Sequence, residues 1–204
     1  MSPPLPNALS DGRPIVVAVA GPNGSGKSTV APALLAETLG VTEFVNADVI
    51  AQGLAGFSPD SAAIEAGRIM LRRIKSLAER RHTFAFETTL SSRTFAPWFR
   101  GQGESGYSIA VVFFWLPSPE LAVGRVRARV ALGGHDVPEH VVRRRYRSSI
   151  QNFMKLYAPQ VDLWWLYENE GSGQPHLVAS KGEGAAPVVH DPTRWLAVQE
   201  ASSA

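Results

Sequence analysis

The sequence predicts an α/β fold: a central, mostly parallel sheet held between helical layers, three layers in all. Three observations carry that expectation. Short β-branched runs at residues 14–20, 83–86 and 107–116 have the apolar character of strands buried on both faces. Segments of helical period, several with capping signals, separate them. Their alternation implies βαβ units, whose crossovers are right-handed. With 204 residues, 45% apolar and 19% charged, the chain can bury a core and fits one domain. No internal repeat is visible.

Residues 1–13, rich in Pro, Ser and Asn, read as a flexible lead-in to a single domain over 14–204. The first strand, 14–20 (PIVVAVA), runs straight into GPNGSGKST at 21–29, and a helix follows to about Leu39, closed by Gly40 at its C-cap. A short strand at 43–46 leads to Ala47-Asp48. Ser58-Pro59-Asp60 has the cap-then-proline form of a helix start, and that helix carries Ile64, Met70, Leu71, Ile74 and Leu77 to about Arg81. The third strand ends on Glu87, then Thr88-Thr89-Leu90 and a helix with aromatic residues follow. Residues 107–116 (YSIAVVFFWL) form the central strand.

Ser118-Pro119-Glu120 opens a helix to about Leu132, which Gly133-Gly134 breaks. Pro138-Glu139 starts another, with Val142, Tyr146, Ile150, Phe153 and Tyr157 as its apolar stripe. Residues 162–167 read as a fifth strand whose Trp164, Trp165 and Tyr167 belong to core and rim packing. A small hairpin at about 174–190 and a last helix at about 193–201, behind Asp191-Pro192, complete the chain.

Composition excludes several function classes. There is no cysteine, so disulfide frameworks, thiolate zinc sites and thiol nucleophiles drop out. The longest apolar run, 109–116, is far short of the roughly 20 residues that span a bilayer. The first residues lack a basic start and a long apolar stretch, so the expectation is a cytoplasmic protein with no membrane partner. Twenty Lys and Arg against 18 Asp and Glu give a net charge of +2, too even for a general polyelectrolyte binder.

The phosphate chemistry starts at Gly21-Pro22-Asn23-Gly24-Ser25-Gly26-Lys27-Ser28, which satisfies G-x-x-x-x-G-K-[ST] at every constrained position, with Thr29 next. Glycines let the backbone curl so that successive N–H groups face inward around anionic oxygens. Lys27 supplies a positive charge for the β- and γ-phosphates, Ser28 a hydroxyl for Mg²⁺, and the following helix its positive end. A strand before and a helix after are the context this motif requires. The cofactors expected are ATP or GTP with Mg²⁺, and the fold is of the P-loop NTPase type.

Ligands of such sheets sit beyond the carboxyl ends of the strands, where Asp48 and Glu87 fall. Phosphoryl transfer to an alcohol needs a carboxylate to take the hydroxyl proton, and further groups to hold metal and acceptor. Asp48 suits the first role; Glu87 suits the second and is a further candidate for the metal beside Ser28. The competing readings are a helix N-cap for Asp48 and a solvated strand end for Glu87.

Residues 125–147 hold seven arginines against Asp136 and Glu139, a local +5 that leaves −3 for the rest. Arg125 and Arg129 share one helix face; with Val142 facing the core, Arg143, Arg144 and Arg147 fall within about 100° of arc. Like charges at this spacing repel, which points to a compensating anion and to a helical arginine lid over the phosphates. A solvated basic face and a nucleic-acid surface are the rivals; the second lacks an accompanying aromatic stacking set, so no nucleic-acid partner is expected.

GPNGSGKST, FVNADVIA (44–51), AFETTL (85–90), WLPSPELAVGRVRARV (115–130) and GGHDVPEHVVRRRYRSSIQNF (133–153), in this order, resemble the zeta-toxin-like P-loop kinases, in particular their compact bacterial branch. The resemblance covers roughly residues 14–170. It implies ATP- or GTP-dependent phosphorylation of a UDP-activated amino sugar, with UDP-N-acetylglucosamine the best-known acceptor, and a cognate antitoxin protein as partner. It implies catalytic roles for Lys27, for Asp48 as base, for Glu87 with Thr89 on the substrate, and for one arginine from each lid helix: Arg129 with Arg143 or Arg144. Arg125 and Arg144 are candidates for substrate contact. The chain lacks the extended substrate-side insertions of the toxin prototypes. Rival readings keep the fold but change the acceptor to another metabolite, nucleoside or antibiotic hydroxyl, or make the chain a nucleotide-gated binding module. GPNGSGKST also occurs in ABC-type ATPase subunits, but no LSGGQ-like signature follows here.

Overall fold

The computed structural model describes residues 12–55, 59–134, 136–171 and 174–203. The lead-in up to residue 11 and the cap expected at Ser58 lie outside them. In chain order the elements are β1 (Ile15–Ala20), α1 (Lys27–Leu39), β2 (Phe44–Val45), α2 (Ala47–Leu54), a 3₁₀ turn (Pro59–Ala62), α3 (Ala63–Glu79), β3 (Phe84–Thr88), α4 (Phe95–Glu104), β4 (Ser108–Trp115), α5 (Pro119–Ala131) and α6 (Glu139–Asn152). A π-helical turn (Phe153–Tyr157), α7 (Ala158–Gln160), β5 (Leu163–Glu168), β6 (His176–Lys181), β7 (Val188–Val189) and α8 (Pro192–Ser203) follow.

All seven strands join one sheet in the order β2-β3-β1-β4-β5-β6-β7. The first five pair in parallel and the last two add as an antiparallel edge. The reason for the parallel core is readable in β4: all eight of its residues are buried, as a strand covered on both faces requires. Phe113 and Phe114, both fully buried, point to opposite faces, and each stabilises the fold by about 1.5–3 kcal/mol relative to exposure.

Alternation along the strands builds two apolar layers. One joins Val16, Phe86, Phe113 and Trp164 to Ile74 of α3, Phe99 of α4, Val126 of α5, Ile150 of α6 and Val198 of α8. The other joins Val17, Val112 and Trp165 to Ala31, Leu34 and Leu35 of α1. Several boundaries differ from the sequence expectation; α6 ends at Asn152, leaving Phe153 and Tyr157 of its expected stripe in the π-helical turn. The helix α2 starts at Ala47 and its cap is Asn46, whose side chain accepts from the N–H groups of Asp48 (2.8 Å) and Val49 (3.4 Å). The cap role considered for Asp48 therefore belongs to Asn46, and Asp48 lies inside the first turn. The helix α3 ends at Glu79 rather than Arg81, which takes the left-handed conformation at φ 60°. Glu87 is the fourth residue of β3, which continues to Thr88.

β1 lies where strand order reverses, with β3 on one side and β4 on the other. A crevice beyond the carboxyl ends of the strands at such a point is where α/β sheets hold ligands.

Candidate active site

That crevice is a cleft of about 440 Å³. One wall is the loop between β1 and α1. Gly21, Gly24 and Gly26 all have positive φ (138°, 78° and 79°), so the loop curls in a way few other residues permit. Space is as restrictive as conformation: a Cβ on Gly24 would lie 2.8 Å from the carbonyl oxygen of Ala122 in α5. Replacing Gly24 with Ala is expected to cost about 1 kcal/mol or more in left-handed strain alone. A thermal melt should show Tm falling by about 2–4 °C per kcal/mol, with ATP binding weakened as well.

Lys27 begins α1 and is buried. Its ammonium donates to the carbonyl oxygens of Gly21 and Pro22, both at 2.9 Å, and lies 3.8 Å from Glu87 Oε1. Burial pushes its pKa below the ordinary lysine value, opposed by the negative charges of Glu87 and Asp48. Ser28 Oγ donates to Glu87 Oε2 at 2.8 Å, and Asn46 Nδ2 donates to the same oxygen at 2.8 Å. Parallel pairing sets this meeting, because the register places Val19 opposite Glu87 and Ala20 opposite Thr88. Glu87 is thus partnered on both sides and is not a solvated strand end.

Asp48 is exposed and lines the cleft from α2, with Asn46 and Ala47 beside it. Thr88 and Thr89 line it from the end of β3. The turn they begin is fixed tightly: Leu90 holds a left-handed φ of 49° while its side chain is buried, and Asn152 Nδ2 donates to its carbonyl at 2.9 Å. A left-handed leucine costs about 1–2 kcal/mol, and such strain collects at functional turns.

The opposite rim is built by α5 and α6. Arg125, Arg129 and Arg145 line the cleft, as does Val137 between the two helices. Arg145 is half-buried and donates to Asn23 Oδ1 at 3.4 Å. Burial lowers its pKa from the ordinary arginine value, with Arg144 adding to the effect and Asp48 opposing it. Its neighbour Tyr146 anchors α6 by donating to the Leu116 carbonyl at 2.7 Å.

Arg143 and Arg144 are placed elsewhere. With His140 and Arg147 they form a basic face of α6 outside the cleft. Arg143 donates to Glu139 Oε1 at 2.8 Å and Glu120 Oε1 at 2.6 Å, and Arg127 reaches Glu139 Oε2 at 2.6 Å. Of the α6 arginines, Arg145 lines the cleft, whereas Arg143 and Arg144, the expected ones, do not. Val142 does face the core, but the cleft lies close to that buried stripe rather than across the helix from it. Part of the local charge repulsion is relieved by Glu120, which lies just outside the 125–147 window.

Of the residues singled out from sequence, Asn23, Gly24, Gly26, Lys27, Ser28, Thr29, Asp48, Glu87, Thr89, Arg125 and Arg129 share the cleft. Gly21, Pro22 and Ser25 are buried in the loop. Asn46, Ala47, Thr88, Val137 and Arg145 line the cleft too. Asn46 carries a signal, a cap-type residue one position before a helix, and Arg145 is one of the seven clustered arginines; Thr88 and Val137 carry none in the local sequence.

The glycine loop before α1, the parallel sheet and the acid-lined cleft define a P-loop kinase-like domain. The chain belongs to the AAA domain family AAA_33, whose pattern matches residues 16–152. A protein of Haemophilus influenzae with no assigned function is 29% identical over 126 residues, covering 62% of this chain and 88% of its own length. Among solved structures, the AvrRxo1-ORF1:AvrRxo1-ORF2 complex with sulphate ions superposes with a TM-score of 0.71 at 19% identity over 95% of this chain. The same complex with ATP gives 0.70 at 18%. This chain spans 65% of the length of those matched chains. The PezAT chromosomal toxin-antitoxin system of Streptococcus pneumoniae gives 0.60 at 15% identity, covering 85% of this chain and 74% of the matched chain. These structural likenesses establish the fold. Among the described residues no helix is long and apolar enough to cross a membrane.

Proposed function

We infer that the chain is a kinase that moves the terminal phosphoryl group of ATP, or GTP, to a hydroxyl of a small molecule, with a UDP-activated amino sugar such as UDP-N-acetylglucosamine as the leading acceptor. One observation supports the reading above the rest: an exposed carboxylate, Asp48, shares a cleft with the phosphate loop and with arginines from two helices. The loop N–H groups and Lys27 take the β- and γ-phosphates. Asp48 takes the proton of the acceptor hydroxyl as its oxygen bonds to the γ-phosphorus, and the bond from that phosphorus to the bridging oxygen breaks, releasing the diphosphate. Glu87 and Thr89 orient the acceptor side, while Arg129 and Arg145 stabilise charge spreading over the transferred group.

The donor set near Lys27 fits magnesium. Ser28 Oγ and the Glu87 carboxylate are hard oxygens 2.8 Å apart, and no group of three or more His, Cys, Asp or Glu suited to a metal occurs among the described residues. Magnesium characteristically takes one or two protein oxygens and completes its shell with phosphates and water. Ser28 and Glu87 would hold it, and its positive charge would offset that of the phosphate oxygens. An antitoxin partner belongs to the same reading, because one of the fold's likenesses is a toxin-antitoxin system.

The test is direct. The purified chain with ATP, magnesium and UDP-N-acetylglucosamine should yield a sugar nucleotide one phosphate heavier by mass spectrometry. Transfer only to other members of an acceptor panel would move the substrate class. Failure to phosphorylate anything in a cell extract, despite tight ATP binding, would favour a nucleotide-gated binding module instead.

A further inference from the structure

The curl of the phosphate loop turns its N–H groups inward only if its carbonyl oxygens turn outward, and buried carbonyls need donors. Those donors can be traced. Lys27 serves Gly21 and Pro22. The next two come from outside the loop: Arg125 Nη1 donates to Gly24 O at 3.4 Å, and Asn169 Nδ2 donates to Ser25 O at 2.8 Å. Asn169 is buried, follows directly on β5, and accepts a 2.7 Å hydrogen bond from Arg125 Nη1 on its own carbonyl. Its amide also occupies the space where a Cβ on Gly26 would go, so Gly26 and Asn169 fit as a pair.

The end of β5 is held from the other side of the sheet as well. Trp164 and Leu166 face the layer that contains α8, whereas Leu163, Trp165 and Tyr167 face α1. Continued alternation sends Glu168 towards α8 and Asn169 towards the loop. Glu168 is a buried carboxylate, and Arg194 of α8 pairs with it through Nε. Asp191 fixes Arg194 in turn, accepting from its Nη1 at 2.7 Å and from its backbone N–H at 3.0 Å. Trp195, the next residue, stacks on Trp164 with an interplanar angle of 8°, which seats α8 on the strand. The register of the β5–β6 pairing shifts between Leu166 and Tyr167 with Val178 of β6 as the extra residue, so the alternation along β5 is unbroken.

We propose that Asn169 and Arg194 are positioning residues for nucleotide binding: Asn169 braces the loop in its anion-holding curl, and Arg194 sets Asn169 from the far face of the sheet through Glu168. The proposal rests on the loop being a triphosphate site. Arg194 does not line the cleft; its link to the loop runs through Glu168 at the end of β5.

Calorimetric titration with ATP and magnesium, together with hydrogen exchange on the amides of residues 23–28, tests it. Asn169→Ala should raise the Kd for ATP about three- to ten-fold, the span of one well-made hydrogen bond, with faster exchange of those amides. Arg194→Ala should move both readouts in the same direction, and Arg194→Lys, which keeps the charge but not the planar fork, should recover part of the loss. A lower Tm with unchanged Kd and unchanged exchange would make the clasp purely structural and overturn the proposal. If Arg194→Ala does not fold, Asn169→Ala and Arg194→Lys decide by the same readouts. Should the unaltered chain bind no ATP, the nucleotide-site reading fails and takes this proposal with it; ATP bound equally well by all variants overturns only the brace.

Discussion

Asp48→Asn protein is expected to bind ATP as the unaltered chain does and to transfer phosphoryl groups roughly 10²- to 10⁴-fold more slowly, the usual contribution of a positioned general base. The expectation follows from what Asp48 does not do. It is not the cap of α2, since Asn46 supplies that oxygen, and it is exposed in the first helical turn. Asparagine has the same shape and removes only the charge and the basic oxygen. Loss of a carboxylate from a helix N-terminus costs at most about 1 kcal/mol at a surface position, so the variant should stay folded. Single-turnover transfer at saturating ATP, read beside a calorimetric Kd, separates the two effects. Transfer at the unaltered rate would remove Asp48 as the base and shift attention to Glu87.

How far the sequence could be read depended on the range of each interaction. The phosphate loop was legible because its chemistry is local: glycine freedom, a lysine and a hydroxyl within eight residues, between a strand and a helix. β4 was legible because burial on both faces leaves an unbroken apolar run, and Gly40 because a left-handed C-cap at φ 61° calls for that residue. Strand order was not legible, since nothing in a strand's composition states its neighbours. The approach of Glu87 to Ser28 and Lys27 depends on β3 lying beside β1, so the sequence could place these groups near one cleft but not in contact. Asn169 is the extreme case. It lies 144 positions from the carbonyl it serves, and an asparagine after a strand resembles any turn residue. The arginine segment falls between: seven like charges are conspicuous, but which ones face the cleft depends on helix rotation, and a two-residue change rotates a side chain by about 200°.

That rotation leads to the second large effect. Arg145→Ala should lower kcat by about 10²- to 10³-fold, the loss typical of removing one preorganised donor from developing charge. Arg143→Ala should leave kcat within a few-fold and lower Tm slightly. Arg145 is half-buried, lines the cleft and reaches Asn23 of the phosphate loop, so its guanidinium already stands near the phosphate position. Arg143 is bound to Glu120 and Glu139, joining the first turn of α5 to that of α6. Its pairing holds both carboxyl groups below the usual carboxylate range. To act on a phosphate, Arg143 would have to leave two carboxylates and turn through about half a helix circumference, against a helix whose Val142 and Tyr146 are buried in the core. Steady-state kinetics on the two variants at saturating ATP distinguishes the registers. A collapse of kcat in Arg143→Ala with little change in Arg145→Ala would mean that α6 rotates when the cleft closes, and the arginine seen at the rim would then be a brace for Asn23 and not a contributor to transfer.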